Sequence, residues 1–105
     1  MQIIRGTTPT ITANVRSDIE LDNVTQAWVY IYQQGEVVID KTGTNVDIDS
    51  THKTIKIHLS QVETLSLKAD VGAIYQIRLK LSSGVALATL AANIAVKEVY
   101  KDGVI

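Results

Sequence analysis

The feature that most constrains this chain is the two-residue period of its apolar side chains. Successive side chains on a β-strand point to opposite faces, so this period sets one row against a core and the other in water. Thr54 to Leu59 shows it cleanly, with Ile55, Ile57 and Leu59 on one face and Lys56 and His58 on the other. Ala73 to Leu81 repeats it, placing Tyr75, Ile77, Leu79 and Leu81 inward and Gln76, Arg78 and Lys80 outward. The apolar residues are largely β-branched or tyrosine, types that suit a pleated, half-buried surface. Stacked sheets are expected, not a helical bundle.

Other segments fit the same reading. Ile11, Ala13 and Val15 alternate within Thr8 to Arg16, and Pro9, which lacks an amide donor, assigns the start of that strand to a sheet edge. Gln26 to Gln33 and Val37 to Lys41 flank Gln34-Gly35, the pattern of a hairpin. Asn45 to Asp49 reads as a short strand. Ser60-Gln61-Val62-Glu63 has the spacing of a capping box, in which the Ser hydroxyl and the Glu carboxylate satisfy each other's backbone amides. It predicts a short helical turn near residues 60–67, before Gly72. Ser82-Ser83-Gly84 makes a turn, and a last segment runs from Ala86 to about Tyr100. Within it, residues 86–92 are alanine-rich and suit a helix as well as a strand. Strand is favoured, because no cap is evident and the stretch from Ile94 alternates. The opening residues to Arg5 are left as either an ordered strand or an exchanged arm.

The 105 residues suffice for one domain, spanning 1–105, with a core that needs no staples. The fold class expected is all-β: an immunoglobulin-like β-sandwich of about seven strands. There is no cysteine, so neither a disulfide nor a thiolate metal site is available. Trp28 could supply the aromatic centre of the core in place of the missing cysteine pair.

Charge excludes some functions. Ten Lys and Arg residues balance eleven Asp and Glu, and the basic ones are scattered from Arg5 to Lys101 without a run. Nucleic-acid binding by counterion release needs clustered cations, as does binding to anionic membranes, so neither partner is expected. A net charge of −1 also leaves little repulsion between copies. The longest apolar-looking run, Val85 to Ala92, falls well short of the roughly 20 residues of a membrane span. The first residues lack the pattern of a signal peptide, which implies a chain made in the cytosol.

Catalytic and cofactor sites are not expected. Asp47, Asp49, Ser50 and His52 are the one cluster of ligand-like side chains, but the glycine and distal glutamate of a calcium loop are missing. They read as a solvated turn, with no metal. No G-x-S-x-G elbow is present, and His58 near Ser60 gives proximity without a third partner. Arg5-Gly6-Thr7-Thr8-Pro9-Thr10 lacks the glycines and following helix of a phosphate loop and reads as a flexible arm entering an edge strand. No cofactor is implied.

Trp28-Val29-Tyr30-Ile31-Tyr32 is more informative, because both faces of this strand are apolar. Either the rings or Val29 and Ile31 point inward, and the other set must be covered by the chain itself or by a partner. The candidate interface therefore comprises Trp28, Val29, Tyr30, Ile31 and Tyr32, joined by the apolar terminus Val104 and Ile105.

The order of these features resembles a group of small phage tail and baseplate domains. It runs from Arg5-Gly6-Thr7-Thr8-Pro9-Thr10 through Tyr32-Gln33-Gln34-Gly35 and Val37-Val38-Ile39-Asp40-Lys41-Thr42. It continues with Leu59-Ser60-Gln61-Val62-Glu63-Thr64-Leu65, Gln76-Ile77-Arg78-Leu79, Val96-Lys97-Glu98-Val99 and Gly103-Val104-Ile105. The likeness is to the immunoglobulin-like N-terminal module of phage upper baseplate proteins. It implies a structural role in the virion tail, assembly in the host cytoplasm, and self-association or binding to other tail proteins. The chain stops where that module stops, without a receptor-binding head, which favours a connector or decoration role. The alternative is a monomeric β-sandwich that binds carbohydrate or another host-surface ligand, with the rings as a stacking platform.

Overall fold

A computed structural model describes residues 1–16, 19–43, 46–88, 91–101 and 103–105. Among them lie nine strands: β1 (Gln2–Ile4), β2 (Thr10–Asn14), β3 (Val24–Gln33), β4 (Glu36–Thr42), β5 (Val46–Asp49), β6 (Thr54–His58), β7 (Ala73–Leu81), β8 (Ala86–Ala88) and β9 (Ala92–Lys97). A single α-helical turn, α1 (Gln61–Leu65), follows β6, and Leu21–Asn23 forms one turn of 3₁₀ helix.

The strands divide into two sheets. Six form the order β1-β9-β7-β3-β4, with β8 pairing β7, and three form β2-β6-β5. Every pairing is antiparallel except β1 on β9. The chain crosses between the sheets after β1, β2, β4 and β6. This is the immunoglobulin-like arrangement, with β2, β6 and β5 as strands B, E and D and β3, β7 and β9 as C, F and G. The all-β sandwich expected from the alternation is what the chain adopts.

Between the sheets lies an aliphatic core. Of the seventeen buried hydrophobic residues among those described, eight are isoleucine, including Ile31, Ile55, Ile57 and Ile77, each with no exposed surface. Each such side chain stabilises the fold by roughly 1.5–3 kcal/mol on burial. Trp28 is not among them. The register of β3 buries Ala27, Val29 and Ile31, and turns Trp28, Tyr30 and Tyr32 to the outer face, where they are half-buried. Of the two orientations the sequence leaves open, the chain takes the one that keeps Trp28 out of the core centre. Burying the ring face would strand one indole N–H and two phenol hydroxyls in need of partners. The phase observed buries a single polar side chain on β3, Gln33, and that one is satisfied.

Local signals resolve as follows. The hairpin turn has Gln34 at φ 53° and Gly35 at φ 78°, the paired positive values of a type I′ turn. The capping box forms: the Glu63 amide donates to Ser60 Oγ and the Ser60 amide to Glu63 Oε1. β2 lies at an edge of its sheet, as Pro9 implied. The last segment is two strands rather than one, β8 and β9, pairing successive stretches of β7. Residues 86–88 are strand, while 89–90 lie outside the described residues, as does Asn45 of the fourth expected strand.

Of the two alternatives for the opening residues, the structure shows the ordered strand, β1 paired with β9 of its own chain. The Arg5 side chain locks them down: Nε donates to the Leu67 carbonyl at 2.8 Å and Nη2 to the Leu65 carbonyl at 2.9 Å, while Nη1 pairs with Glu98. The guanidinium thus satisfies carbonyls left open at the C-terminal end of α1.

Candidate functional site

The outer face of the six-stranded sheet is the first candidate. Residues paired across antiparallel strands share a face. Tyr30 lies between Asp40 on β4 and Gln76 on β7, and Trp28 between Thr42 and Arg78. Tyr32 lies between Val37 and Ile74, which are 49% and 41% exposed. The result is a row of three rings along the central strand, with aliphatic side chains at one end and opposite charges on its two flanks. The Tyr30 and Tyr32 ring centroids are 6.3 Å apart and inclined at 46°, a favourable tilted contact. Trp28 borders a hollow of about 240 Å³ shared with Arg78, Lys80 and Ala86.

The structure divides the interface residues named from sequence. Trp28, Tyr30 and Tyr32 reach this surface, whereas Val29 and Ile31 belong to the core, at 1% and 0% exposure, and are removed from it. Val104 and Ile105 are exposed but lie elsewhere. The Ile105 amide donates to Gln61 Oε1, and Gln61 Nε2 donates to the Ile105 carbonyl, so the terminus sits against α1.

The second candidate was not foreseen. On the outer face of the three-stranded sheet, Thr10 Oγ1 lies 2.9 Å from His58 Nδ1, and Asp47 Oδ2 lies 2.7 Å from His58 Nε2. Pairing of β2 on β6 sets Thr10 opposite His58, and β5 brings Asp47 diagonally alongside. Ser60, the neighbour expected from sequence, is used as the helix cap. The Thr-His-Asp line has the members of a nucleophile relay. It lies open on a sheet face, with His58 57% and Asp47 61% exposed, where water weakens each interaction. A relay acts in a site that excludes water and presents oxyanion donors. The larger cavities are lined by other residues.

Asp47 and Asp49 do not act together. Asp49 accepts from the His52 amide and pairs with His52 Nδ1 at 2.8 Å. The His52 amide, then its imidazole, hold the exposed Asp49 carboxyl below its usual range. Among the described residues no three acidic, His or Cys side chains gather as metal ligands.

A cavity of about 520 Å³ opens between the sheets and is lined, among the described residues, by Asn14, Val15, Arg16, Ile19, Leu79, Leu87 and Ala88. Those described residues include no acid, thiol or imidazole. No protein-family model matches the chain, and no curated protein matches its sequence.

Proposed function

We propose that this chain is a non-catalytic assembly module that binds protein through the ring-bearing outer face of its larger sheet. The observation that carries the reading is the contrast between the two outer faces. The smaller sheet turns Thr10, Thr12, Asn14, Thr54, Lys56, His58, Asp47 and Asp49 outward, an entirely polar set. The larger sheet sets Trp28, Tyr30, Tyr32, Val37 and Ile74 among outward polar residues that include Asp40, Gln76, Arg78 and Lys80. A solvated sheet face needs no rings, whereas Trp and Tyr are the residues enriched where surfaces bind. With the resemblance described above, this favours a phage virion component, a tail or baseplate connector or decoration protein assembled in the host cytoplasm.

The test compares wild-type chain with Tyr30→Glu by light scattering coupled to gel filtration over a hundredfold concentration range. Association by the wild type, lost in a folded Tyr30→Glu variant, is the expected result. Association that persists in that variant would refute the face. Val29→Glu is no substitute, since it places a charge in the core and unfolds the chain. A monomer whose Trp28 emission responds to glycans would instead favour the carbohydrate-binding alternative.

A further inference from the structure

Building on that reading, we infer that the occupant of the ring-bearing face is a second copy of this chain, stacked about a two-fold axis running along β3. The argument is one of charge placement. Asp40 stands on the β4 side of the ring row, and Arg78 and Lys80 stand on the β7 side. All three are exposed, and none joins the ion pairs formed among the described residues. Acid on one flank and base on the other make the face complementary to itself under one rotation.

Turning a second copy about an axis along β3 brings its β4 over the first copy's β7, and the converse. Each Asp40 then faces the Gln76–Arg78 stretch of the other copy, twice per dimer, with ring row against ring row. A two-fold axis across the strands would instead set Asp40 over Asp40, which like-charge repulsion disfavours. Packed sheets lie about 10 Å apart with strands within about 30° of each other, a gap that Arg and Asp side chains span together.

The footprint suits such a pair. β3 has ten residues, or about 33 Å of strand, and four neighbouring strands cover about 19 Å. The product, about 600 Å² per copy, approaches the roughly 800 Å² per partner of a stable interface.

The experiment is charge reversal, read as dimer dissociation constant by light scattering and sedimentation on the whole chain. Asp40→Arg and Arg78→Asp should each weaken the dimer at least tenfold, since each substitution acts twice across the axis. The double variant should recover to within about threefold of wild type. Both sites are exposed, and circular dichroism checks that each variant is folded. A wild-type chain monomeric throughout overturns the inference. So does a dimer indifferent to both reversals; if Tyr30→Glu still dissociates that dimer, the ring-bearing face survives and only this arrangement fails. A dimer that tolerates Tyr30→Glu as well removes the face itself.

Discussion

Gln33 closes β3 with a buried carboxamide, and its removal should cost far more than a typical surface change. Nε2 donates to the Lys68 carbonyl at 2.9 Å and the Val71 carbonyl at 3.0 Å, and Oε1 accepts from the Lys68 amide at 2.8 Å. One side chain, 4% exposed, thus satisfies three backbone groups of the loop that follows α1. A net hydrogen bond contributes about 0.5–1.5 kcal/mol, and a buried group left unpaired costs about 1–3 kcal/mol. Gln33→Leu removes three bonds without supplying partners, so a loss of about 3 kcal/mol is expected. With a urea slope of 1–3 kcal/mol/M, the midpoint should fall by about 1–3 M. A second substitution separates this account from simple packing. Gln33→Glu keeps the shape and the acceptor for Lys68, but turns a carboxylate toward two carbonyls. Its carboxyl should be raised above the usual range, since only the protonated form can donate. A raised pKa makes the variant more stable below the unfolded-state value, with that stability lost as pH rises through the folded-state value. Gln33→Glu should therefore recover part of its deficit between pH 7 and pH 4. A Gln33→Leu loss under about 1 kcal/mol, or a deficit in Gln33→Glu that grows on acidification relative to wild type, would refute the clamp.

Three further variants test the local contacts. Burial pushes the Glu63 carboxyl up, but its bonds to the Lys41 ammonium and the Ser60 amide outweigh this and hold it below the usual range. Because the folded-state pKa is depressed, that stability is present above the unfolded value and is lost as pH falls through the folded one; acid unfolding of Glu63→Gln should show a shallower pH dependence there. Arg5→Leu strands the carbonyls of Leu65 and Leu67 and should cost about 2 kcal/mol in a denaturant titration. In the same variant the Ala95 amide, which donates to the Met1 carbonyl, should exchange faster with deuterium. Gln34→Asn should stabilise the hairpin by about 0.5 kcal/mol, because asparagine tolerates φ 53° better than glutamine does, and thermal unfolding will read the gain.

What was legible in the sequence is what local chemistry decides. The phases of β6 and β7 follow from their alternation, the hairpin from Gln34-Gly35, and the helical turn from the reciprocal Ser60 and Glu63 bonds. The phase of β3 was not legible, because both of its faces are apolar and period two cannot choose between them. The choice depends on where polar tips find partners, and the partners of Gln33 lie 35 and 38 residues away. The sequence leaves β1 open between an ordered strand and an exchanged arm for a different reason: Gln2–Ile4 is too short to show a period, and its parallel partner lies at the far end of the chain. The Thr10–His58–Asp47 line needed two strand registers at once, which no spacing along the chain reports.

The sheet edges bear on how such a domain can assemble. An open edge strand invites pairing with another chain, and proteins blunt it with short strands, proline, surface charge or a charge turned inward. Each edge of this sandwich carries one of these devices. β1 and β8 are each three residues long, and β2 is entered from Pro9. β5 carries Asp47 and Asp49 on its outer face. β4, the longest edge, turns Lys41 inward, where its ammonium donates to the His58 carbonyl and to Glu63 across the gap between sheets. A copy adding its strand to β4 would have to keep that ion pair intact while matching the bulge between Ile31 and Tyr32 on the adjoining strand. Edge pairing is thus disfavoured at every exit. The outer face of the larger sheet has no such guard: its rings stand in one half-buried row, and its charges flank that row instead of interrupting it. Assembly of this chain should therefore proceed face to face, and association at the face should leave the backbone amides of β4 as exchangeable in the oligomer as in the monomer.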